Sequence, residues 1–115
     1  MNTEDSQAAP VLDRMLTVQV VYSKDVARLV ALGEIDASST HTFDAVAHQA
    51  LTELPTTIEI DLTGVEFIDS SGLRSIVSLV RRAGVRKIEV NVTGVSAAAR
   101  RVLEITGLIA MLQRG

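Results

Sequence analysis

The chain contains no cysteine and no tryptophan, and aromatic residues make up only 3% of its 115 positions. Without thiols, disulfides and thiolate metal sites are excluded, and a reducing compartment is compatible with the chain. With so few rings the core must be aliphatic. Val, Leu, Ile and Ala carry most of the 47% apolar content, and Phe43, Phe67 and Tyr22 are the only aromatic pieces. Long apolar runs are also missing: none approaches the roughly 18 residues that a membrane span needs. Met1 to Pro10 has neither the basic flank nor the apolar stretch of a signal peptide, so a soluble cytoplasmic domain without membrane insertion is the expectation. Positive charge is scarce. Eleven Lys and Arg stand against 14 Asp and Glu, giving a formal net charge of −3. Neutralising phosphates takes clustered cations, so no direct nucleic-acid partner is expected.

What remains is enough for one domain and too little for two. Residues 1–12 read as a flexible arm and 13–115 as the domain. Leu16 to Tyr22 alternates at first and is rich in β-branched residues, which predicts a half-buried strand. A turn at Ser23-Lys24-Asp25 leads to a second strand from Val26 to Leu32, ending at Gly33, and so short a turn predicts an antiparallel hairpin. Phe43, Val46, Ala47, Ala50, Leu51 and Leu54 repeat at helical spacing, with Asp36 as a candidate N-cap and Pro55 as the stop.

Thr57 to Leu62 predicts a third strand closed by Thr63-Gly64, followed by a short apolar approach from Val65 to Ile68. Leu73, Ile76, Val77 and Val80 mark the inner side of a second helix, with Arg74, Ser78, Arg81 and Arg82 outward and Gly84 at its end. Lys87 to Val92 reads as a fourth strand broken by Thr93-Gly94. Ser96 caps a third helix carrying Ala97, Val102, Leu103 and Ile105, with Gly107 closing it. Leu108 to Leu112 would add a short strand or a final turn. The order β-β-α-β-α-β-α predicts an α/β domain with a mixed sheet of four to five strands and helices packed against it.

Asp69-Ser70-Ser71-Gly72 falls between an apolar run and an amphipathic helix. Asp and Ser cap helices and Gly relaxes a tight backbone, so a plain strand-to-helix turn accounts for all four residues. A hydroxyl there also lies near unpaired amides and the positive end of the helix dipole, where a phosphate is tolerated, with Arg74 three residues from Ser71. A catalytic serine would need a positioned base and an oxyanion site. The Gly-x-Ser-x-Gly elbow is missing, as is a Walker-type phosphate loop, and His41 and His48 read as lone surface residues. No enzyme activity and no cofactor are expected.

Asp61-Leu-Thr-Gly-Val-Glu-Phe-Ile-Asp-Ser-Ser-Gly-Leu73 resembles the central motif of STAS domains in bacterial anti-sigma-factor antagonists. Gly33-Glu-Ile-Asp36 resembles a second family signature, the acidic loop before the first helix, and Val102 to Leu108 resembles the closing helix. The three stand in register over roughly residues 15 to 113. The resemblance implies the STAS fold and a partner-switching mechanism. The unmodified antagonist binds an anti-sigma factor that is also a serine kinase, which frees a sigma factor; phosphorylation with ATP and Mg²⁺ reverses this, and a serine phosphatase resets it. The accepting residue carries over to Ser71, with Ser70 as the second candidate. Asp36 carries over as a partner contact, with Asp69, Ser70, Gly72 and Arg74 on the same surface. The alternative is a STAS subunit of another complex, for lipid transport or stress sensing, without a phosphorylation switch.

Two features stand outside this frame. Arg81-Arg82 and Arg86-Lys87 form a basic patch, explained by helix C-terminal charge and solvation or by docking to an acidic partner. The family often carries Asn-Pro just after the fourth strand, where this chain has Thr93-Gly94-Val95-Ser96.

Overall fold

A computed structural model describes residues 15–107. The strands are β1 (Thr17–Ser23), β2 (Val26–Ile35), β3 (Thr57–Ile68) and β4 (Glu89–Val95); the helices are α1 (Thr40–Thr52), α2 (Ser70–Val85) and α3 (Ala97–Thr106). The order is the expected β-β-α-β-α-β-α. Four strands lie side by side in chain order, β1 antiparallel to β2, and β2, β3 and β4 mutually parallel. The arm expected over residues 1–12 and the last element expected over Leu108 to Leu112 lie outside the described residues. None of the helices described is long and apolar enough to cross a membrane.

Alternation decides which side of the sheet is dry. In β2, Ala27, Leu29, Ala31 and Ile35 are fully buried, while Arg28 and Leu32 between them are exposed. The register places Ile58 and Ile60 of β3 beside Ala27 and Leu29, so the same side continues across the sheet. Against it pack Phe43, Ala47, Ala50 and Leu51 of α1, and Leu73, Ile76, Leu79 and Ala83 of α2. The stripe on α2 thus runs through Leu79 and Ala83, while Val77 and Val80, expected in it, are only half-buried. α3 packs along β3 through Ala99 and Leu103.

Of the three aromatic residues, only Phe43 is a core residue; Tyr22 and Phe67 are exposed. Leu54 and Ile105, expected on the inner stripes, are exposed as well. Leu54 lies past the end of α1, in a left-handed conformation (φ 53°) that turns the chain ahead of Pro55. Ile105 sits two positions after Leu103, on the far side of the helix, one residue from its end.

Four expected stops are not stops. Gly33 (φ 110°) lies inside β2, which pairs on to Ile35 past a bulge. Thr63-Gly64 lies inside β3 and Thr93-Gly94 inside β4, because bulges absorb the glycines. A Cβ on Gly64 would collide with Leu32, and one on Gly94 would lie 2.8 Å from the Asp61 carboxylate. These glycines mark close approach of neighbouring strands rather than chain reversal. Gly84 lies inside α2, and the helix ends instead in a Schellman turn: Lys87 N–H donates to Gly84 O (3.0 Å) and Ile88 N–H to Ala83 O (2.8 Å). Lys87 takes the left-handed position (φ 60°) that a glycine more often fills. The caps of α3 are as expected. Ser96 Oγ accepts from Ala99 N–H (3.1 Å), and Gly107 is left-handed (φ 77°).

Gly72 and Gly84 sit in the same helix and should respond oppositely to alanine. Either change gains up to about 1 kcal/mol of helix propensity. At Gly84 a Cβ meets nothing within 4 Å, so the gain should survive. At Gly72 it would lie 2.7 Å from the Ile35 carbonyl oxygen and 2.7 Å from Ile68 Cγ1. A buried backbone cannot give way cheaply, so Gly72→Ala should lose about 2 kcal/mol net. Urea unfolding of both variants checks the pair.

Candidate functional site

The site grows from one strand pairing. Ile35 and Ile68 are register partners at the ends of parallel β2 and β3, and the residues that follow them are Asp36 and Asp69. Parallel neighbours lie about 4.8 Å apart, so both acidic residues leave the sheet side by side at its carboxyl edge. Two further contacts tie the loops together. Asp69 N–H donates to Ile35 O (3.2 Å), and the bare Cα of Gly72 lies against that carbonyl. The sequence separates the two acidic residues by more than thirty positions; the sheet brings them together.

Asp69 is the N-cap of α2. Its backbone is extended, and its Oδ1 accepts from Ser71 N–H (2.9 Å) and Gly72 N–H (3.1 Å). The first turn therefore already has a carboxylate on two of its free amides. Ser70 is exposed, Ser71 is half-buried in the same turn, Gly72 is buried, and Arg74 is exposed one turn on. Gly72 thus presents no surface of its own; it lets the serine turn sit close to β2.

Asp36 has a different job from the N-cap expected of it. Ser39 holds the cap position of α1, without a capping side-chain bond. The Asp36 carboxylate folds the loop back on itself, accepting from Ser38 N–H (3.0 Å) and Ser38 Oγ (2.7 Å). Ser39 Oγ accepts from Asp36 N–H (3.0 Å) and donates to Glu34 O (2.8 Å), which bonds the loop to the end of β2. The Ser38 hydroxyl is the main cause holding the Asp36 carboxyl below the ordinary carboxylate range, so the group stays anionic.

Beside this loop lies a hollow of about 360 Å³ whose lining includes Leu16, Glu34, Asp36, Ser39 and His41. Ser38, Ser39 and Glu34 are not among the expected site residues, although a serine pair after Asp is a recognisable signal of loop-forming side-chain bonds. His41 and His48 are both exposed on α1. His48 Nδ1 lies 2.8 Å from Arg82 Nη2, so it is a neighbour of the basic patch. Among the described residues, no three His, Asp or Glu side chains are grouped to hold a metal ion.

Comparison with known proteins places the fold in a family. The family described as "Mlab, STAS domain" matches residues 18–113. The anti-sigma-F factor antagonist RsfB of Mycobacterium tuberculosis is 29% identical over 93 residues, covering 81% of this chain and 75% of RsfB. The crystal structure of an anti-sigma factor antagonist from Mycobacterium paratuberculosis superposes with a TM-score of 0.79 at 25% identity, covering 86% of this chain and 84% of the other. The Bacillus cell fate determinant SpoIIAA shares the fold at 21% identity. Its unphosphorylated form gives a TM-score of 0.70 over 81% of this chain and 83% of SpoIIAA, and its phosphorylated form 0.65 over 80% and 85%. The chain belongs to the STAS domain family, and the proteins it resembles include anti-sigma-factor antagonists.

Proposed function

We propose that this protein is an anti-sigma-factor antagonist that binds an anti-sigma factor with serine-kinase activity, frees the sigma factor, and is switched off by phosphorylation of Ser71. The observation that carries the reading is the position of Ser71. It is partly exposed in the first turn of α2, on a turn bonded directly to the strand end from which Asp36 emerges. The partner-facing set is Asp36, Asp69, Ser70 and Arg74, with Gly72 beneath it. Ser70, on the same turn, is the alternative acceptor.

The chemistry is a transfer in trans. The γ-phosphoryl group of ATP passes to Ser71 Oγ, ADP leaves, and the hydroxyl proton is released. A serine phosphatase hydrolyses the ester and restores the hydroxyl. The chain supplies the acceptor and no catalytic group. A phosphate adds about −1.5 to −2 charges in a turn that already holds the Asp69 carboxylate. Asp69 accepts from the amides of Ser71 and Gly72, so the added charge is only partly compensated by the helix end. The core has no need to move, and the cost falls on any partner that must bury the site. A second reading, a STAS subunit of another complex such as one for lipid transport, is favoured only by the Mlab description of the family.

Incubation with candidate anti-sigma kinases, ATP and Mg²⁺, followed by mass mapping, should find one phosphate on Ser71 and none in Ser71→Ala. Ser71→Ala should bind the kinase and resist being switched off. Ser71→Glu should bind at least about tenfold more weakly, or about 1.4 kcal/mol, with an unchanged circular dichroism spectrum. Binding by Ser71→Glu as tight as that of the unmodified protein would sink the charge switch.

Asp36 gives an independent check. Because folding lowers its pKa, its bonds to Ser38 contribute stability above the usual carboxylate range, about pH 4. That contribution is lost as pH falls through the lower folded value. Carboxyl ¹³C NMR should show the Asp36 midpoint rising toward the ordinary range in Ser38→Ala. Asp36→Ala should weaken kinase binding while leaving the α2 cap intact.

A further inference from the structure

Helix α2 carries Arg74, Arg81 and Arg82 and no carboxylate along its sixteen residues, in a chain whose formal net charge is −3. Between α2 and α1 lies a groove of about 490 Å³, walled by these three arginines, by Ser75 and Ser78, and by Asp44 of α1. Ion pairs among the described residues involve Arg28 and Arg100, so the groove arginines have no carboxylate within pairing distance there. Arg82 is held by the His48 ring rather than by an acid. Dipole complementarity and solvation account for Arg82 in the last turn. For Arg74, in the second turn near the positive end of the helix, only solvation applies, and dipole complementarity works against it.

The serine lies on the helix stripe that leads into the groove. Ser71, Arg74, Ser75, Ser78 and Arg82 stand at i, i+3, i+4, i+7 and i+11, one stripe of a helix. From Ser71 to Arg82 the stripe runs roughly 16 Å, at 1.5 Å per residue. Three guanidinium groups against the one carboxylate of Asp44, with Ser75, Ser78 and Val77 between, leave a net cationic trough that fits a chain segment bearing several carboxylates better than a single small anion.

We infer that the α1–α2 groove docks an acidic segment of the protein partner, with Ser71 at its head. This rests on the reading of Ser71 as the switch and adds a partner chemistry to it. A phosphate on Ser71 then acts twice. It places like charge at the mouth of the groove, and it competes for Arg74, one turn away on the same stripe.

Two measurements test the groove. In the first, the ¹⁵N-labelled protein is titrated with a ten-residue Glu-rich peptide, its Gln counterpart, and inorganic phosphate. The Glu peptide alone should shift the amides of residues 74–82, less at high salt and not in Arg81→Glu. No shift with the Glu peptide, equal shifts with inorganic phosphate, or self-association through the groove would each overturn the proposal. In the second, the kinase that modifies Ser71 is bound to Arg81→Glu, whose changed side chain lies ten residues from the switch. Binding should weaken at least about tenfold. Wild-type binding by Arg81→Glu together with loss of binding by Ser71→Glu would reject the groove and keep the switch. Wild-type binding by both would reject the switch itself.

Discussion

The functional edge of this protein depends on the parallel pairing of Ile35 with Ile68. Both side chains are buried, so the two strand ends cannot slip without moving apolar surface into water. Everything chemical follows one residue later. Asp36 turns back onto its own loop, Asp69 caps α2, and the Asp69 amide donates to the Ile35 carbonyl. Gly72 lets the helix come close enough for this to work, since any Cβ would strike that carbonyl. Acidic loop and serine turn are therefore one rigid surface drawn from two distant parts of the chain.

Rigidity at that edge suits a switch that works by charge. A site on a loose loop could absorb a new charge by rearranging. Here the turn is fixed by a cap, by a bond to β2 and by the packing of Gly72, so added charge stays where a partner must meet it. The Asp36 loop is fixed in the same way, its carboxylate held anionic mainly by the Ser38 hydroxyl. A preorganised surface also asks less ordering entropy of the complex.

The sequence made the element order, the hairpin and the serine turn legible, because each rests on a local rule. Strand alternation, helical spacing and the Ser96 and Gly107 caps need only their neighbours in the chain. Gly33, Gly64 and Gly94 read as breakers, yet their places are decided by pairing with a neighbouring strand, which no local rule sees. Gly84 sits in open space inside α2, and the stop comes three residues later at Lys87. Asp36 read as a cap because Asp often is one, but Ser39 holds the cap position and Asp36 makes the loop. Ser71 was legible as a position, and Asp69 as a cap; that Asp69 takes both the Ser71 and Gly72 amides was not. The groove was visible only as scattered arginines, since α1 supplies its other wall.

That last difference sharpens the electrostatics. With amides free, a phosphate at the start of α2 would be largely compensated by the helix and would look bland to a partner. Asp69 accepts from two of those amides, so a phosphate on Ser71 would meet a carboxylate in its own turn, with Arg74 one turn on along the helix. On the proposed reading, the cap that stabilises α2 is also the residue that would keep a phosphate on Ser71 uncompensated, so one carboxylate would set both the stability of the helix start and the sensitivity of the switch.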